Sequence, residues 1–128
     1  MGGKCEQAFY ADEARLDACL ARPSAEVVRF MAELDGDLAI LGIGGKMGYT
    51  LGRMAVCACR EAGSRKRIIG VSRFSDAGVR QKLEDAGIET VRCDLSCRED
   101  VDALPRTKNV VYLAGRKFGT SGSEHLTW

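Results

Sequence analysis

Apolar residues fall along this chain in two alternating rhythms. Four short runs of strand length, Leu38 to Leu41, Ile68 to Val71, Ile88 to Cys93 and Asn109 to Ala114, are separated by stretches in which apolar side chains recur every three or four positions. The first of these stretches carries Met47, Leu51, Met54, Ala55 and Ala58 and runs to about Ala62, where Gly63 ends it among Arg60, Arg65, Lys66 and Arg67. The second, Asp76 to Ala86, stops at Gly87, and a short third around Glu99 to Leu104 stops at Pro105. Strand and helix therefore alternate as β-α-β-α-β-α-β. That order predicts an α/β domain with a doubly wound parallel sheet, right-handed crossovers and strand order 3-2-1-4. A ligand crevice is expected at the C-terminal ends of strands 1 and 4, where the order reverses.

Upstream, the rhythm is helical only. Residues 4–21 are rich in helix formers, with Phe9, Leu16, Cys19 and Leu20 as a ragged apolar face, and Arg22-Pro23 breaks the run. Ser24 is an expected N-cap for a helix over Ala25 to Leu34, whose Val27, Val28, Met31 and Leu34 make one stripe, and Asp35-Gly36-Asp37 leads into the first strand. Residues 1–36 thus read as an N-terminal helical extension that covers a sheet edge or a neighbouring subunit of a homodimer. Residues 37–128 form the α/β domain.

The chemistry begins where the first strand meets the first helix. The segment Gly42-Ile-Gly-Gly-Lys-Met-Gly48 is a strand–glycine turn–helix junction, and such a turn aims backbone N–H groups at the positive end of a helix dipole. It is a seat for a phosphate or pyrophosphate, or else a tight turn with no ligand. A Walker A loop is excluded, because Ile40 and Met47 stand where it needs glycine and Ser or Thr. The standard dinucleotide fingerprint started at Gly42 finds Gly44 and then Met47 in place of its third glycine. Read as Gly-x-x-Gly-x-x-Gly, however, Gly42, Gly45 and Gly48 all fall in place, which resembles the turn of the extended short-chain dehydrogenase/reductases. The binding set expected here is Gly42, Gly44, Gly45, Lys46, Met47 and Gly48.

Two further strand ends fit that resemblance. Leu95 follows Asp94 at the end of strand 3, where an Asp and an apolar residue in that family contact the adenine; alternatively Asp94 caps the following turn. Strand 4 ends in Leu113-Ala114-Gly115, similar to the family's Leu-Ala-Gly segment, whose small residues let the cofactor pass. After strand 2 comes Val71-Ser72-Arg73-Phe74, with no acid until Asp76. An acid there would select NAD. Ser72 and Arg73 suit the extra phosphate of NADP, with NAD as the alternative, unless Arg73 is simply a solvated loop arginine. Arg116 and Lys117 either meet cofactor phosphates or an anionic substrate, or are solvated. The resemblance covers roughly residues 37–128. It implies a Rossmann-type fold and the NADP(H)-binding part of an NAD(P)-dependent epimerase/dehydratase, an oxidoreductase acting on nucleotide sugars. The Gly44-Gly45-Lys46 sequence and the Arg116-Lys-Phe-Gly-Thr120 loop depart from the family's commoner pattern.

In that family a Tyr-x-x-x-Lys pair beyond the fourth strand performs the proton transfer. Tyr112 is followed four residues on by Arg116, Tyr49 by Arg53 and Tyr10 by Ala14, and His125 is the only histidine. The expectation is a cofactor-binding chain that does not turn over alone. The alternative is a stand-alone dinucleotide-binding or sensor module. Composition changes this picture little: with 45% hydrophobic and 29% charged residues and a net charge of +1, nothing favours nucleic acid or a membrane surface as partner. No apolar run approaches the roughly 18 residues of a membrane span, and there is no apolar signal segment, so a cytoplasmic location is expected. The six cysteines lack metal-ligand spacing and read as reduced, structural thiols.

Overall fold

A computed structural model describes residues 13–115. Three helices and a strand open the domain: α1 (Glu13–Leu20), α2 (Ala25–Glu33), β1 (Leu38–Leu41) and α3 (Lys46–Glu61). Then follow β2 (Ile68–Ser72), α4 (Ala77–Asp85), β3 (Glu89–Arg92), α5 (Arg98–Asp102) and β4 (Asn109–Tyr112). The four strands form one all-parallel sheet in the order β3-β2-β1-β4. The chain is thus a Rossmann-like α/β fold, as its alternating pattern predicts. The expected third and fourth strands are shorter, Glu89–Arg92 and Asn109–Tyr112, although the N–H groups of Cys93 and Leu113 still donate to the Ser72 and Leu41 carbonyls of the neighbouring strands at 2.9 and 2.8 Å. Residues 1–12, the first part of the expected helix over 4–21, lie outside the described residues.

Register puts matching side chains on one face. Leu38 pairs with Ile68 and Asn109, and Ala39 with Ile69 and Val110, so the two periods of the pleat sort the strands into two apolar layers. The first layer, with Leu38, Ile40 and Ile68, packs under Met31 of α2, Val56 and Cys59 of α3 and Leu83 of α4. Ile40 and Leu83 are fully buried. The second layer, Ala39, Ile69, Val71 and Cys93, lies beneath Leu95 and Leu104. Both N-terminal helices pack chiefly on α3.

Local chemistry sets the helix ends. Ser24 caps α2 as its sequence suggests, its hydroxyl accepting from the Val27 N–H. Asp76 sits outside α4 as its N-cap, accepting from the Gly78 N–H at 2.8 Å. Gly63 ends α3 at φ +67°, a left-handed conformation that costs other residues energy.

The N-terminal ends of all four strands are clamped by polar groups. Asp37 accepts from the Arg67 N–H at 2.8 Å, and the Arg67 guanidinium forks onto Glu89 at 2.7 and 3.1 Å. Asn109 donates its side-chain amide to the carbonyls of Asp35 and Asp37 at 2.8 and 3.2 Å. This end carries the stability network and leaves the opposite, C-terminal end of the sheet to the glycine turn.

Candidate functional site

The turn after β1 is built around one side chain. The N–H groups of Gly42 and Ile43 both donate to the Val71 carbonyl, at 2.8 and 3.1 Å, which bolts the turn to β2. Ile43 then drops into the core with no exposed surface. Its side chain fills the space that Cβ atoms at Gly52 and Gly70 would need, and its carbonyl oxygen occupies the place of a Cβ at Gly48.

The turn glycines therefore serve different purposes. Gly42 has φ +84°, and a Cβ there would lie 2.5 Å from the Ala114 nitrogen, so it permits β1 and β4 to close against each other. Gly44 makes room for the Ser72 hydroxyl, which a Cβ would approach to 2.8 Å. Gly45 differs: a Cβ there would meet nothing within 4 Å. Gly45 is also the N-cap of α3, at φ −83° and ψ 174°, and provides no side-chain hydrogen bond to the helix. Ser, Asp or Asn at this position would satisfy an N–H of the first turn. The first turn of α3 also has no acidic residue. The result is a sixteen-residue helix whose positive end opens on solvent beside the strand ends. Lys46 and Met47, its first two residues, are exposed, Met47 by 75%.

The neighbouring strand ends bring the remaining expected residues to the same edge. Ser72 accepts weakly from the Phe74 N–H at 3.4 Å and is half-buried. Arg73 is exposed and engages in no hydrogen bond or ion pair among the described residues. Its charge lies close enough to help hold the Asp94 carboxyl below its ordinary range, although the Ser96 hydroxyl and N–H do most of that work. Asp94 is indeed the cap of its turn: Oδ1 accepts from the Ser96 hydroxyl at 2.6 Å and the Ser96 N–H at 2.9 Å. Leu95 is half-buried and packs on the second layer. Ala114 lines the turn at Gly42, and Gly115 is exposed with open space at its Cβ position. Arg116 and Lys117 lie outside the described residues.

One feature of this edge is not legible in the sequence. Phe74 adopts φ +49°, a conformation unusual for a bulky residue, and still packs on the first layer under the guanidinium of Arg80, 5.5 Å from its ring centroid. That inward turn of Phe74 leaves its neighbour Arg73 on the outside. Glycine, asparagine or aspartate would have signalled such a bend; phenylalanine does not.

The shelf beside Gly45 is open rather than enclosed. A cavity of about 130 Å³ exists elsewhere, under Leu104 and Val110 on the second face. Its walls are apolar save for Thr107, so it offers little to orient a charged ligand. The shelf, with free helix N–H groups and two exposed cations, is the better candidate. Burial pushes the thiols of Cys59 and Cys93 up, away from reactivity. Among the described residues no cluster of three His, Cys, Asp or Glu could hold a metal ion, and no helix is long and apolar enough to cross a membrane. No known protein family, no curated protein and no solved structure matches this chain.

Proposed function

We propose that this chain binds NADP(H) across the C-terminal edge of its sheet, as the cofactor-binding part of an oxidoreductase of the NAD(P)-dependent epimerase/dehydratase kind. The observation that carries the reading is Gly45. Every other glycine of the turn is explained by the protein's own packing, whereas Gly45 forgoes a cap and faces empty space. A residue that leaves a helix end bare at no packing benefit is one that a ligand approaches.

The residues present fit a dinucleotide. The N–H groups at the start of α3 suit the pyrophosphate, with Lys46 adding charge and Met47 an apolar surface. Ser72 and Arg73 suit the phosphate that distinguishes NADP from NAD, because a guanidinium forks onto phosphate oxygens and no carboxylate stands at the end of β2 to repel them. Asp94 and Leu95 frame the adenine end, and Ala114 and Gly115 keep the end of β4 low. The cofactor supplies hydride when bound; these residues hold and select it. No Tyr-x-x-x-Lys pair occurs in the sequence, so the proposed role is binding, with a nucleotide sugar as the substrate of the activity it serves.

Calorimetric titration with NADPH and with NADH, on the wild type and on Arg73→Asp, tests this. Tighter binding of NADPH is expected. Losing one charge-assisted contact weakens it about tenfold or more, since such contacts contribute roughly 1.5–3 kcal/mol. NADH binding is expected to hold or improve. Failure of both nucleotides to bind overturns the reading; equal binding of both, unaffected by Arg73→Asp, overturns the NADP preference alone.

A further inference from the structure

The connection from β2 to α4 is short and pinned at both ends. Cys93 holds the last residue of β2, its N–H donating to the Ser72 carbonyl at 2.9 Å, just beyond the Val71 carbonyl that accepts from the glycine turn. Asp76 holds the other end as the N-cap of α4. Only Arg73, Phe74 and Ser75 lie between. Glycines aside, Phe74 at φ +49° is the one described residue with a positive φ. A bulky side chain keeps that conformation only where the surrounding structure imposes it.

Here the constraint is a series of contacts through α4 and β3. The Phe74 ring packs on the first layer, and the Arg80 guanidinium lies over it, 5.5 Å from its centroid. Arg80 is itself fixed: Nε donates to Thr90 Oγ1 at 2.9 Å and to Glu84 Oε1 at 3.4 Å, and the Thr90 hydroxyl donates to the same Glu84 oxygen. Its charge is therefore paired with Glu84 while its plane clamps the ring. The bend in turn places its neighbours. The Phe74 N–H turns back to the Ser72 hydroxyl at 3.4 Å, and that hydroxyl stands in the room Gly44 leaves. Arg73, one residue earlier, is left exposed.

We propose that Phe74, clamped by Arg80, is a positioning residue that aims Ser72 and Arg73 at the phosphate distinguishing NADP from NAD. The assignment rests on the dinucleotide reading above and adds to it the device that sets the nucleotide preference. A backbone fixed beforehand has less freedom to lose when its side chain engages a ligand. Releasing the bend therefore weakens NADPH and spares NADH, which lacks that phosphate.

Calorimetric titration with NADPH and NADH of the full chain carrying Phe74→Ala, Arg80→Met or Phe74→Tyr, beside the wild type, tests this, together with backbone nuclear relaxation of the nucleotide-free proteins. Residues 73–75 of the wild type should be as rigid as β2 and α4, with order parameters of about 0.85, falling below about 0.6 in Phe74→Ala. Phe74→Ala and Arg80→Met are expected to weaken NADPH binding by roughly three- to tenfold, part of what Arg73→Asp loses, while NADH holds. Phe74→Tyr keeps the ring and should keep the wild-type preference. Arg80→Met combined with Arg73→Asp should lose no more NADPH affinity than Arg73→Asp alone; additive losses mean that Arg80 meets the phosphate itself and overturn the positioning role. If Phe74→Ala loses its far-UV dichroism, Arg80→Met, which leaves the ring in place, takes over the test. Equal losses for both nucleotides, an unchanged preference, or residues 73–75 as rigid in both variants as in the wild type overturn the positioning role and leave the NADP reading standing. A wild type that binds neither nucleotide, or both equally, overturns that reading and the positioning role with it.

Discussion

Alanine at Gly45 and at Gly42 separates a glycine kept for a ligand from one kept for the fold. Gly45 has an ordinary φ of −83° and open space where its Cβ would be. Alanine there narrows the unfolded ensemble, worth roughly 0.4–1 kcal/mol of stability, and gives up part of the N-cap preference, worth roughly 1 kcal/mol in the other direction. The net change lies within about 1 kcal/mol, or about 5 °C in a domain of this size. Gly42 is the opposite case. Its φ of +84° costs an L-residue about 1–2 kcal/mol. A Cβ 2.5 Å from the Ala114 nitrogen adds an overpacking penalty of roughly 1–3 kcal/mol against main chain that cannot yield. Gly42→Ala should therefore lose about 2–5 kcal/mol and melt some 10–25 °C lower. Binding reverses the ranking for Gly45. A methyl group on the shelf holds a phosphate away from the α3 N–H groups and removes charge-assisted bonds worth about 1.5–3 kcal/mol, a 10- to 100-fold loss of NADPH affinity. Thermal denaturation and calorimetric titration of the two variants provide both readings. A Gly45→Ala protein that keeps its wild-type affinity refutes the assignment of the shelf. One that melts as low as Gly42→Ala refutes the claim that its Cβ site is empty.

Three other outcomes follow from the fold. Ile40→Ala should cost about 2–5 kcal/mol in urea unfolding, because Ile40 is fully buried at the centre of the first layer, where surrounding elements cannot close the cavity. Asp76→Ala should cost about 0.5–2 kcal/mol by orphaning the Gly78 N–H, and Asp76→Asn should restore most of it. Stability should fall on acidification: the Arg67 fork holds the Glu89 carboxyl below its ordinary range, and Lys108 and Ser96 do the same for Asp35 and Asp94. A depressed carboxylate contributes fully above its unfolded value of about 4 and loses that contribution as pH drops through its lower folded value. Melting temperature measured from pH 7 to pH 2 should decline below about pH 4, and Glu89→Gln should start lower at neutral pH and decline less steeply.

What this sequence determines by itself is local. Four apolar runs of strand length between helical patterns specify a parallel α/β sheet, since each strand must bury both faces and needs a helix to reach the next. Ser24 at the start of α2 and Gly63 at the end of α3 act on groups within a few residues, and their roles can be read from their positions alone. The glycine turn is equally visible as a turn, and the order of strand ends follows from the crossover rule. Tertiary structure decided what each glycine is for. Gly42 answers to Ala114, Gly44 to Ser72 and Gly70 to Ile43, partners between 27 and 72 positions away that meet only through strand pairing. Until those partners are in place, Gly45 cannot be told from its neighbours. Phe74 is a bend that no local preference announces, held because packing of its ring on the core outweighs the cost of its backbone. The incomplete cover over Val110 and Tyr112 is likewise beyond any pattern of residues: alternation shows that a side chain has a face, and only packing shows whether that face has been covered.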